Sequence, residues 1–237
     1  MKPKVLVTRK IYERPLRLLQ EKAEVTVNPE NRSMTPEEIM AALPGKMGIL
    51  AMGSDSMNAQ VMGAGKDLKV VANNAVGFNN IDLAAANRLK IAATNTPDVL
   101  TDTTADLTFA LILSVARRIP EADRYVRGGQ WGGWTPNLMI GGDVYGKTLG
   151  IIGLGRIGSG VSRRGQGFNM RTVYHDIRRL HPSVEQHHQL QFLPLRDLLQ
   201  VSDFVTLHVP LTAETKHLLG GEELRLTARE TEAIVRA

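Results

Sequence analysis

The stretch that most limits what this chain can fold into runs from Lys147 to Asp176. A short apolar run, Leu149–Ile152, breaks into the sequence GLGRIG (Gly153–Gly158), and an amphipathic segment leads to a second strand pattern, Arg171–His175. This order predicts a strand, a turn, a helix and a strand. The three glycines then permit a tight turn, let the backbone approach a pyrophosphate, and let the helix pack on the strand. The pattern predicts a dinucleotide-binding βαβ unit.

Asp176 decides which dinucleotide we expect. It lies eighteen residues after Gly158, where a carboxylate can accept hydrogen bonds from the ribose hydroxyls of NAD. Arg178 and Arg179 follow, and an arginine at this place can pair with the 2′-phosphate of NADP, which Asp176 repels. We therefore expect NAD, with NADP as the alternative. A glycine turn of purely structural role is the competing interpretation, and the agreement of strand, helix and acid argues against it.

The first 98 residues alternate between apolar runs and amphipathic segments, which favours a parallel sheet covered by helices. No second GxGxxG occurs in them. Thr35, with Pro36 next and Glu38 three residues on, predicts a capped helix over Pro36–Leu43. The other predicted helices are Pro15–Lys22, Ala59–Ala64 and Ile81–Leu89. The predicted strands are Lys4–Thr8, Val25–Val27, Gly48–Met52, Leu68–Asn73 and Ile91–Thr94.

Between this region and the glycine run lie a long apolar helix pattern and a glycine-rich stretch. The pattern Thr103–Arg117 is apolar on most sides, so we expect a helix buried between two domains. Residues 128–143 read as a loop or arm that contains Trp131 and Trp134. Two tryptophans in a polar loop favour a covered surface such as a subunit interface, against the alternative of an ordinary surface excursion.

After Asp176 the chain becomes polar. His181, His187 and His188 lie in this segment, which we interpret as a solvated loop without metal-ligand spacing. Beyond it we predict a helix, a buried strand, a ligand-binding loop at the carboxyl end of that strand, a further helix and a last strand. These are Leu193–Leu199, Asp203–His208, Pro210–Thr215, Glu222–Leu226 and Ala233–Val235.

The composition is that of an ordinary globular protein. Its 237 residues are 43% apolar, include no cysteine, and carry a net charge of +5 that is scattered along the chain. Nucleic-acid binding therefore has little support, although a modest bias toward anionic cofactors and substrates remains. No apolar run is long enough to span a bilayer, and the N-terminus enters a strand pattern directly. We expect a cytoplasmic enzyme that binds no metal.

Four motifs in combination resemble the D-isomer-specific 2-hydroxyacid dehydrogenases, especially their glyoxylate and hydroxypyruvate reductase branch. They are NNAVGFNNID, NTPDVLTDTTADL, GKTLGIIGLGRIG and SDFVTLHVPLTAET, and the resemblance covers about residues 1–226. It implies an α/β fold of two doubly wound parallel-sheet domains with the active site in the cleft. A flavodoxin-like, substrate-binding domain would cover residues 1–98. An incomplete NAD(P)-binding Rossmann domain would cover residues 99–237.

The same resemblance implies roles for particular residues. The backbone at Val76–Gly77 would hold the carboxylate of a small 2-oxo or 2-hydroxy acid, and the Met52–Gly53 loop would line that pocket. Many relatives carry a larger apolar residue where Gly53 stands. Thr104 would approach the nicotinamide, and the arm would wrap a second subunit in a homodimer. The cofactor-binding residues would be Thr104, Gly153, Leu154, Gly155, Arg156, Ile157, Gly158, Asp176, Arg178, His208, Val209, Pro210 and Thr215.

The chain departs from the family in its catalytic groups. The arginine, glutamate and histidine that relatives use would lie beyond Ala237, so we assign no catalytic residue. Arg236 lacks the Asn and Gly context of the catalytic arginine, and His208 belongs to the cofactor loop. We expect a truncated chain of little activity and low stability, with Ala233–Val235 at an open edge or unpaired. The alternatives are a non-catalytic nucleotide-binding or dimerising remnant and, with no motif in its favour, a transcriptional corepressor.

Overall fold

The chain folds into two compact units, Met1–Val99 and Leu100–Ala237. The computed structural model describes residues 1–227 and the backbone of residues 233–236. Each unit contains its own five-stranded sheet, and all strand pairs within both sheets are parallel. The predicted fold class, two doubly wound parallel-sheet α/β domains, is confirmed.

The first unit has the strand order β2-β1-β3-β4-β5, which is that of the flavodoxin-like fold. The unit comprises β1 (Lys4–Val7), α1 (Glu13–Lys22), β2 (Glu24–Val27), α2 (Pro36–Ala42), β3 (Gly48–Met52), α3 (Ala59–Ala64), β4 (Val70–Asn74), α4 (Leu83–Arg88) and β5 (Ala92–Thr94). These nine elements match the predicted ones with shifts of at most two residues at their ends.

Local sequence explains where the helices of this unit begin. The predicted capping box exists: the Glu38 N–H donates to Thr35 Oγ1, and Glu38 Oε2 accepts from the Thr35 N–H. Asn58 and Asp82 cap α3 and α4 in the same way, each by accepting a backbone N–H from the first turn. Helices α2 to α4 cover one face of the sheet with a buried apolar core. That core includes Leu6, Ile39, Leu43, Ile49, Met57, Val61, Met62 and Val71.

The second unit has the strand order β10-β9-β6-β7-β8, which is the 3-2-1-4-5 order of a dinucleotide-binding sheet. It comprises α5 (Thr101–Ala116), α6 (Ile119–Arg127), β6 (Thr148–Ile152), α7 (Arg156–Gly167), β7 (Arg171–His175), α8 (Pro182–His187), β8 (Leu190–Phe192), α9 (Leu195–Val201), β9 (Phe204–Leu207), α10 (Gly221–Leu226) and β10 (Ala233–Arg236). The predicted βαβ unit over Lys147–Asp176 is confirmed as β6-α7-β7. Helices α5 and α7 pack on one face of this sheet.

The prediction that the long apolar helix is buried is wrong for one face of α5. The sheet covers the face that carries Phe109 and Ile112. On the other side, Leu107, Leu111 and Val115 are 54%, 38% and 51% exposed, respectively. Their spacing of four residues places them on one helix face, and one sheet can cover only one side of a helix that is apolar all round. An apolar stripe is therefore left at the surface of this single chain.

The interpretation of the histidine-rich segment as a loop is also wrong. His181 caps α8 by accepting the Ser183 N–H at its Nδ1 (3.3 Å), and Pro182 occupies the first turn. Helix α6, directly after α5, is a second element that the sequence pattern does not predict. The stretch 128–143 is irregular, as expected, and both of its tryptophans are exposed.

The last strand, β10, pairs in parallel with β9 over its four residues. Of the two expectations for this segment, the edge strand is correct and the unpaired strand is wrong. The side chains of β10, including that of Arg236, lie outside the described residues. Within the part of the chain that the structure describes, no helix combines the length and apolar character needed to cross a membrane.

Candidate functional site

The glycine-rich turn after β6 has the geometry that its sequence predicts. Gly153 has φ +91°, and a Cβ on it would lie 2.8 Å from the carbonyl carbon of His208. Gly158 is buried near the start of α7, where a Cβ would overlap the Gly153 carbonyl oxygen and lie 3.2 Å from the Ile151 side chain. Both positions therefore require glycine, one for its backbone angle and one for close packing.

Gly155 has a different environment. It is the N-cap residue of α7, it is exposed, and a Cβ built on it meets no heavy atom within 4 Å. The space above its backbone is open, next to the first N–H groups of a twelve-residue helix. Such N–H groups and the helix dipole favour an anion. The geometry of this turn fits a pyrophosphate.

Asp176 lies directly after β7 and faces the same turn. Its Oδ2 accepts the Leu154 N–H at 2.8 Å, and its Oδ1 accepts the Arg178 N–H at 3.3 Å. The half-buried carboxylate is thereby fixed beside the glycine loop. Each carboxylate oxygen can accept more than one hydrogen bond, so acceptor capacity remains for the two hydroxyls of a ribose.

Of the two arginines after Asp176, Arg179 is already engaged by a carboxylate. Arg179 donates from Nε and Nη2 to the two oxygens of Glu185, at 2.9 and 2.8 Å. Glu185 is 7% exposed and also accepts the Tyr174 hydroxyl at 2.7 Å. These hydrogen bonds, that of Arg179 first, lower the pKa of Glu185. Pairing of Arg179 with a 2′-phosphate remains a prediction, and it would have to compete with these two bonds to Glu185 of α8.

The loop that follows β9 is organised by its own threonines. Thr215 Oγ1 accepts the Thr212 N–H at 2.8 Å and donates to the Pro210 carbonyl, which closes a compact turn. His208, at the start of this loop, is half-buried, and neither ring nitrogen has a hydrogen-bond partner in the described part of the chain. Burial lowers the pKa of His208 to about 4. Its imidazole is therefore neutral at pH 7, while its backbone carbonyl packs against the turn at Gly153.

Thr104, the residue expected beside the nicotinamide, lies in the first turn of α5 and is half-buried. Its carbonyl accepts the Thr108 hydroxyl at 2.9 Å. Its predicted role remains a prediction.

In the first unit, the loop after β4 presents N–H groups that are free. The carbonyls of Ala75, Val76 and Gly77 accept from the Thr96 N–H (3.0 Å), Asn95 Nδ2 (2.8 Å) and Asn73 Nδ2 (2.8 Å), respectively. A trans peptide directs its N–H opposite to its C=O. The N–H groups of Val76 and Gly77 find no acceptor among the described residues. Two adjacent free donors in a loop can bind a carboxylate.

The loop after β3 lies beside the loop after β4. A Cβ on Gly53 would come within 3.0 Å of Ala75 Cβ, so the two loops approach each other closely. Met52 is held at both ends of its backbone: its N–H donates to Asp55 Oδ2 at 2.7 Å, and its carbonyl accepts Asn80 Nδ2 at 3.2 Å. A larger side chain at Gly53 would need the contact with Ala75 to open.

A cavity of about 380 Å³ opens at the same edge of the first sheet. Its lining residues are Lys10, Ile11, Tyr12, Asn31, Met52 and Asn74. Lys10 is the charged member of this lining, and it gives the edge a positive potential that favours small anions.

Sequence reasoning missed the side chains that hold these two loops. Asn73, Asn80 and Asp55 carry most of the hydrogen bonds that fix them. The density of asparagines in NNAVGFNNID is a signal for such a role, because asparagine side chains often bind nearby backbone groups. Which carbonyls they bind depends on tertiary structure.

The sheet order, the glycine turn and the acid after the second strand together define a dinucleotide-binding α/β protein. Residues 109–235 match the family model described as D-isomer specific 2-hydroxyacid dehydrogenase, NAD binding domain. The chain belongs to the D-isomer-specific 2-hydroxyacid dehydrogenase family, in its glyoxylate reductase branch. Its cofactor class is therefore a nicotinamide dinucleotide.

Individual relatives support this assignment. The chain is 46% identical to the glyoxylate reductase of Korarchaeum cryptofilum, over 97% of its own length and 69% of the relative's. It is 41% identical to a protein of Thermus thermophilus of known crystal structure, with a TM-score of 0.84, over 94% of this chain and 70% of that one. An NADPH-dependent glyoxylate/hydroxypyruvate reductase of Sinorhizobium meliloti, solved with NADP and malonate, is 29% identical with a TM-score of 0.82, over 95% and 68% of the two chains.

Proposed function

We propose that this chain provides the oxo-acid and cofactor sites of an NAD(P)H-dependent reductase of glyoxylate, with hydroxypyruvate as a second substrate. Residues 1–98 would bind the acid and residues 99–237 the cofactor. The observation that carries the proposal is the pair of free N–H groups at Val76 and Gly77, in a loop whose carbonyls are tethered elsewhere. A relative named glyoxylate reductase at 46% identity supports the substrate class.

The bound dinucleotide would supply a hydride for C2 of the oxo acid. The residues of this chain bind the substrate and the cofactor and orient them. Val76 and Gly77 hold the substrate carboxylate, which fixes the direction in which C2 is presented. The N-terminus of α7 holds the pyrophosphate over Gly155, and Asp176 accepts the ribose hydroxyls. Thr104 and the loop from His208 to Thr215 line the nicotinamide and adenosine sides, respectively.

We propose a preference for NAD over NADP. The fixed carboxylate of Asp176 repels a 2′-phosphate, and Arg179 is already engaged by Glu185. Arg178 alone is left to favour NADP. The relative from Sinorhizobium meliloti uses NADPH, so the family itself accommodates both cofactors.

We expect residues 1–237 on their own to turn over slowly. The arginine, glutamate and histidine that the family resemblance implies have no counterpart in this sequence, and its six histidines all lie between positions 175 and 217. Loss of a general acid alone typically slows a reaction about 10²–10⁴-fold. The second candidate function is a nucleotide-binding or dimerising protein without catalysis.

The test uses the polypeptide of residues 1–237. NADH binding is titrated by nucleotide fluorescence, and NADH oxidation is followed with glyoxylate and with hydroxypyruvate. We expect saturable NADH binding and turnover far below the enzyme median of about 10 s⁻¹. Absence of NADH binding would refute the cofactor assignment. Turnover near the median would refute the expected low activity and the non-catalytic alternative together.

We also propose that the protein is cytoplasmic and that it forms a homodimer. Support for the dimer comes from the apolar stripe of α5 and from the exposed side chains of Trp131 and Trp134. Such surfaces on a single chain are typical of protein interfaces.

A further inference from the structure

Two asparagine side chains in the first unit form a reciprocal amide pair. Asn73 Nδ2 donates to Asn80 Oδ1 at 3.0 Å, and Asn80 Nδ2 donates to Asn73 Oδ1 at 3.1 Å. Asn73 belongs to β4 and is 2% exposed, while Asn80 lies beyond the loop that follows β4 and is half-buried. Both amide groups therefore face each other beneath the surface of the unit.

Each amide also reaches the backbone of a different loop. Asn73 Nδ2 donates to the Gly77 carbonyl at 2.8 Å. Asn80 Nδ2 donates to the carbonyls of Met52 and Asp55, at 3.2 and 3.0 Å. The pair thus joins the loop after β3 to the loop after β4 by side-chain hydrogen bonds, next to the backbone hydrogen bond from the Met57 N–H to the Asn80 carbonyl at 2.8 Å.

Holding a carbonyl fixes the whole peptide plane. At Gly77 the bound carbonyl constrains the next peptide, and Asn95 constrains the one before it by binding the Val76 carbonyl. The Gly77 N–H is thus directed by Asn95, and the Val76 N–H by the backbone N–H of Thr96 on the Ala75 carbonyl. Asn73 anchors the far side of the loop at the Gly77 carbonyl. The nitrogen and the oxygen of both amides have hydrogen-bond partners, and such satisfied buried polar groups hold the two loops before a ligand arrives.

The opposite side of Met52 is secured by a buried acid. Asp55 is 1% exposed, and its Oδ2 accepts both the Met52 N–H at 2.7 Å and the Thr8 hydroxyl at 2.5 Å. With Asn80 on the carbonyl, Met52 cannot rotate its peptide planes without breaking bonds to two side chains. The Gly53 backbone that follows inherits this orientation.

We propose that the Asn73–Asn80 pair is a positioning device for substrate binding, which holds the loops after β3 and β4 together so that the Gly53, Val76 and Gly77 N–H groups are presented to the carboxylate of a 2-oxo acid. The proposal rests on the proposed function and adds two positioning residues to it. A structural role alone would place the amide acceptors anywhere in the core. Here the acceptors are carbonyls of the two loops that form the candidate acid site.

The decisive variant is Asn80→Asp. It keeps the size of the side chain and the oxygen that accepts from Asn73, and it removes the donors to the Met52 and Asp55 carbonyls. The matched control is Asn87→Asp, at an exposed position of α4 whose side chain has no hydrogen bond to a described residue. Asn80→Leu removes the same donors without adding a charge, so agreement between Asn80→Asp and Asn80→Leu assigns the effect to the hydrogen bonds.

The probe is oxamate, an unreactive 2-oxo acid analogue, added to isotope-labelled residues 1–237 and followed through the backbone amide signals of Gly53 and Gly77. We expect Asn80→Asp to weaken oxamate binding about tenfold, the effect of one or two lost hydrogen bonds. Asn87→Asp should bind within about twofold of the unmodified chain. NADH affinity should be unchanged in both variants, because the cofactor loop lies in the other unit.

Equal oxamate affinity in folded Asn80→Asp and Asn87→Asp would overturn the positioning role while leaving the proposed function intact. Failure of the unmodified chain to bind oxamate would overturn both. If Asn80→Asp does not fold, exchange of side-chain amide protons in the unmodified chain decides the matter. Protons on Asn73 and Asn80 should exchange far more slowly than those on Asn87, and more slowly still with oxamate. Equal exchange at all three asparagines would overturn the proposal.

Discussion

A Cβ on Gly158 would overlap the carbonyl oxygen of Gly153, so helix α7 can approach β6 only because residue 158 has no side chain. Gly158→Ala should therefore lower the free energy of unfolding by about 1–3 kcal/mol, the usual cost of overpacking. For a chain of this size each kcal/mol corresponds to roughly 2–4 °C in Tm. Because the substitution displaces the helix, the variant should also bind NADH more weakly. A thermal melt and a fluorescence titration measure the two effects.

Gly155→Ala is the matched control for that experiment. A Cβ there meets nothing within 4 Å, and the residue is not in the left-handed region. We expect a melt close to that of the unmodified chain, together with about tenfold weaker NADH binding, because the methyl group occupies the space above the N-terminus of α7. Normal NADH binding by Gly155→Ala would contradict the placement of the pyrophosphate.

Cofactor preference should depend on Asp176. In Asp176→Ser the repulsion of a 2′-phosphate disappears and Arg178 can pair with it, so the ratio of NADH to NADPH affinity should fall about tenfold or more. Fluorescence titration with both nucleotides gives this ratio. Adding Arg178→Ala to the variant should remove the gain for NADPH. Equal affinities for both nucleotides in the unmodified chain would refute the assignment.

The variant Arg179→Ala distinguishes the role of Arg179 from that of Arg178. Because Arg179 binds Glu185 and not the cofactor loop, its loss should leave the nucleotide preference unchanged and should lower Tm instead. A change in the NADPH affinity of Arg179→Ala without a change in Tm would argue that the guanidinium does reach the cofactor.

Much of the fold could be predicted because its determinants are local. The buried strands are short apolar runs, and the capping box of α2 is readable from Thr35 and Glu38. Helix α8 could not be predicted in the same way. It is short and polar, and it is fixed by a tertiary hydrogen bond from Tyr174 to Glu185 eleven residues away, which no local pattern reveals.

The candidate site likewise has one part that local sequence predicts and one part that depends on tertiary contacts. The glycine turn and Asp176 lie within one βαβ unit, so spacing alone places them together. The acid site depends on Asn80 reaching Met52 across 28 residues, a contact that arises only when β3 and β4 pair. Its loops could be named by resemblance, but the side chains that orient them could not.

His208 should make the protein sensitive to mild acid. Burial lowers the pKa of its imidazole from its ordinary value of about 6.5 to about 4, so the unfolded chain takes up this proton first. Its contribution to stability is complete above pH ~6.5 and is lost as pH falls toward 4. Denaturant unfolding at several pH values should therefore show that the free energy of unfolding decreases as pH falls from about 6.5 to 5. His208→Asn should flatten the curve in that window.

Titration of the carboxylates does not interfere with the pH dependence attributed to His208. Glu185 and Glu223 have lowered pKa values, so their contributions are lost only below the ordinary glutamate value of about 4.3. A solvated histidine, as in His187→Asn, serves as the comparison. If the free energy of unfolding depends on pH in His208→Asn as it does in the unmodified chain, the imidazole is not buried in solution.

Finally, the stripe on α5 should hold two copies of the chain together. Leu107, Leu111 and Val115 are exposed on one helix face, and burying such side chains is worth roughly 1.5–3 kcal/mol each. We expect a homodimer in sedimentation at micromolar concentration, and Leu111→Lys should shift it toward monomer by placing a charge in the interface. Leu83→Lys, at a 46% exposed leucine of the first unit, should not. A monomeric unmodified chain whose Trp131 and Trp134 are both quenched by solvent would contradict this assembly.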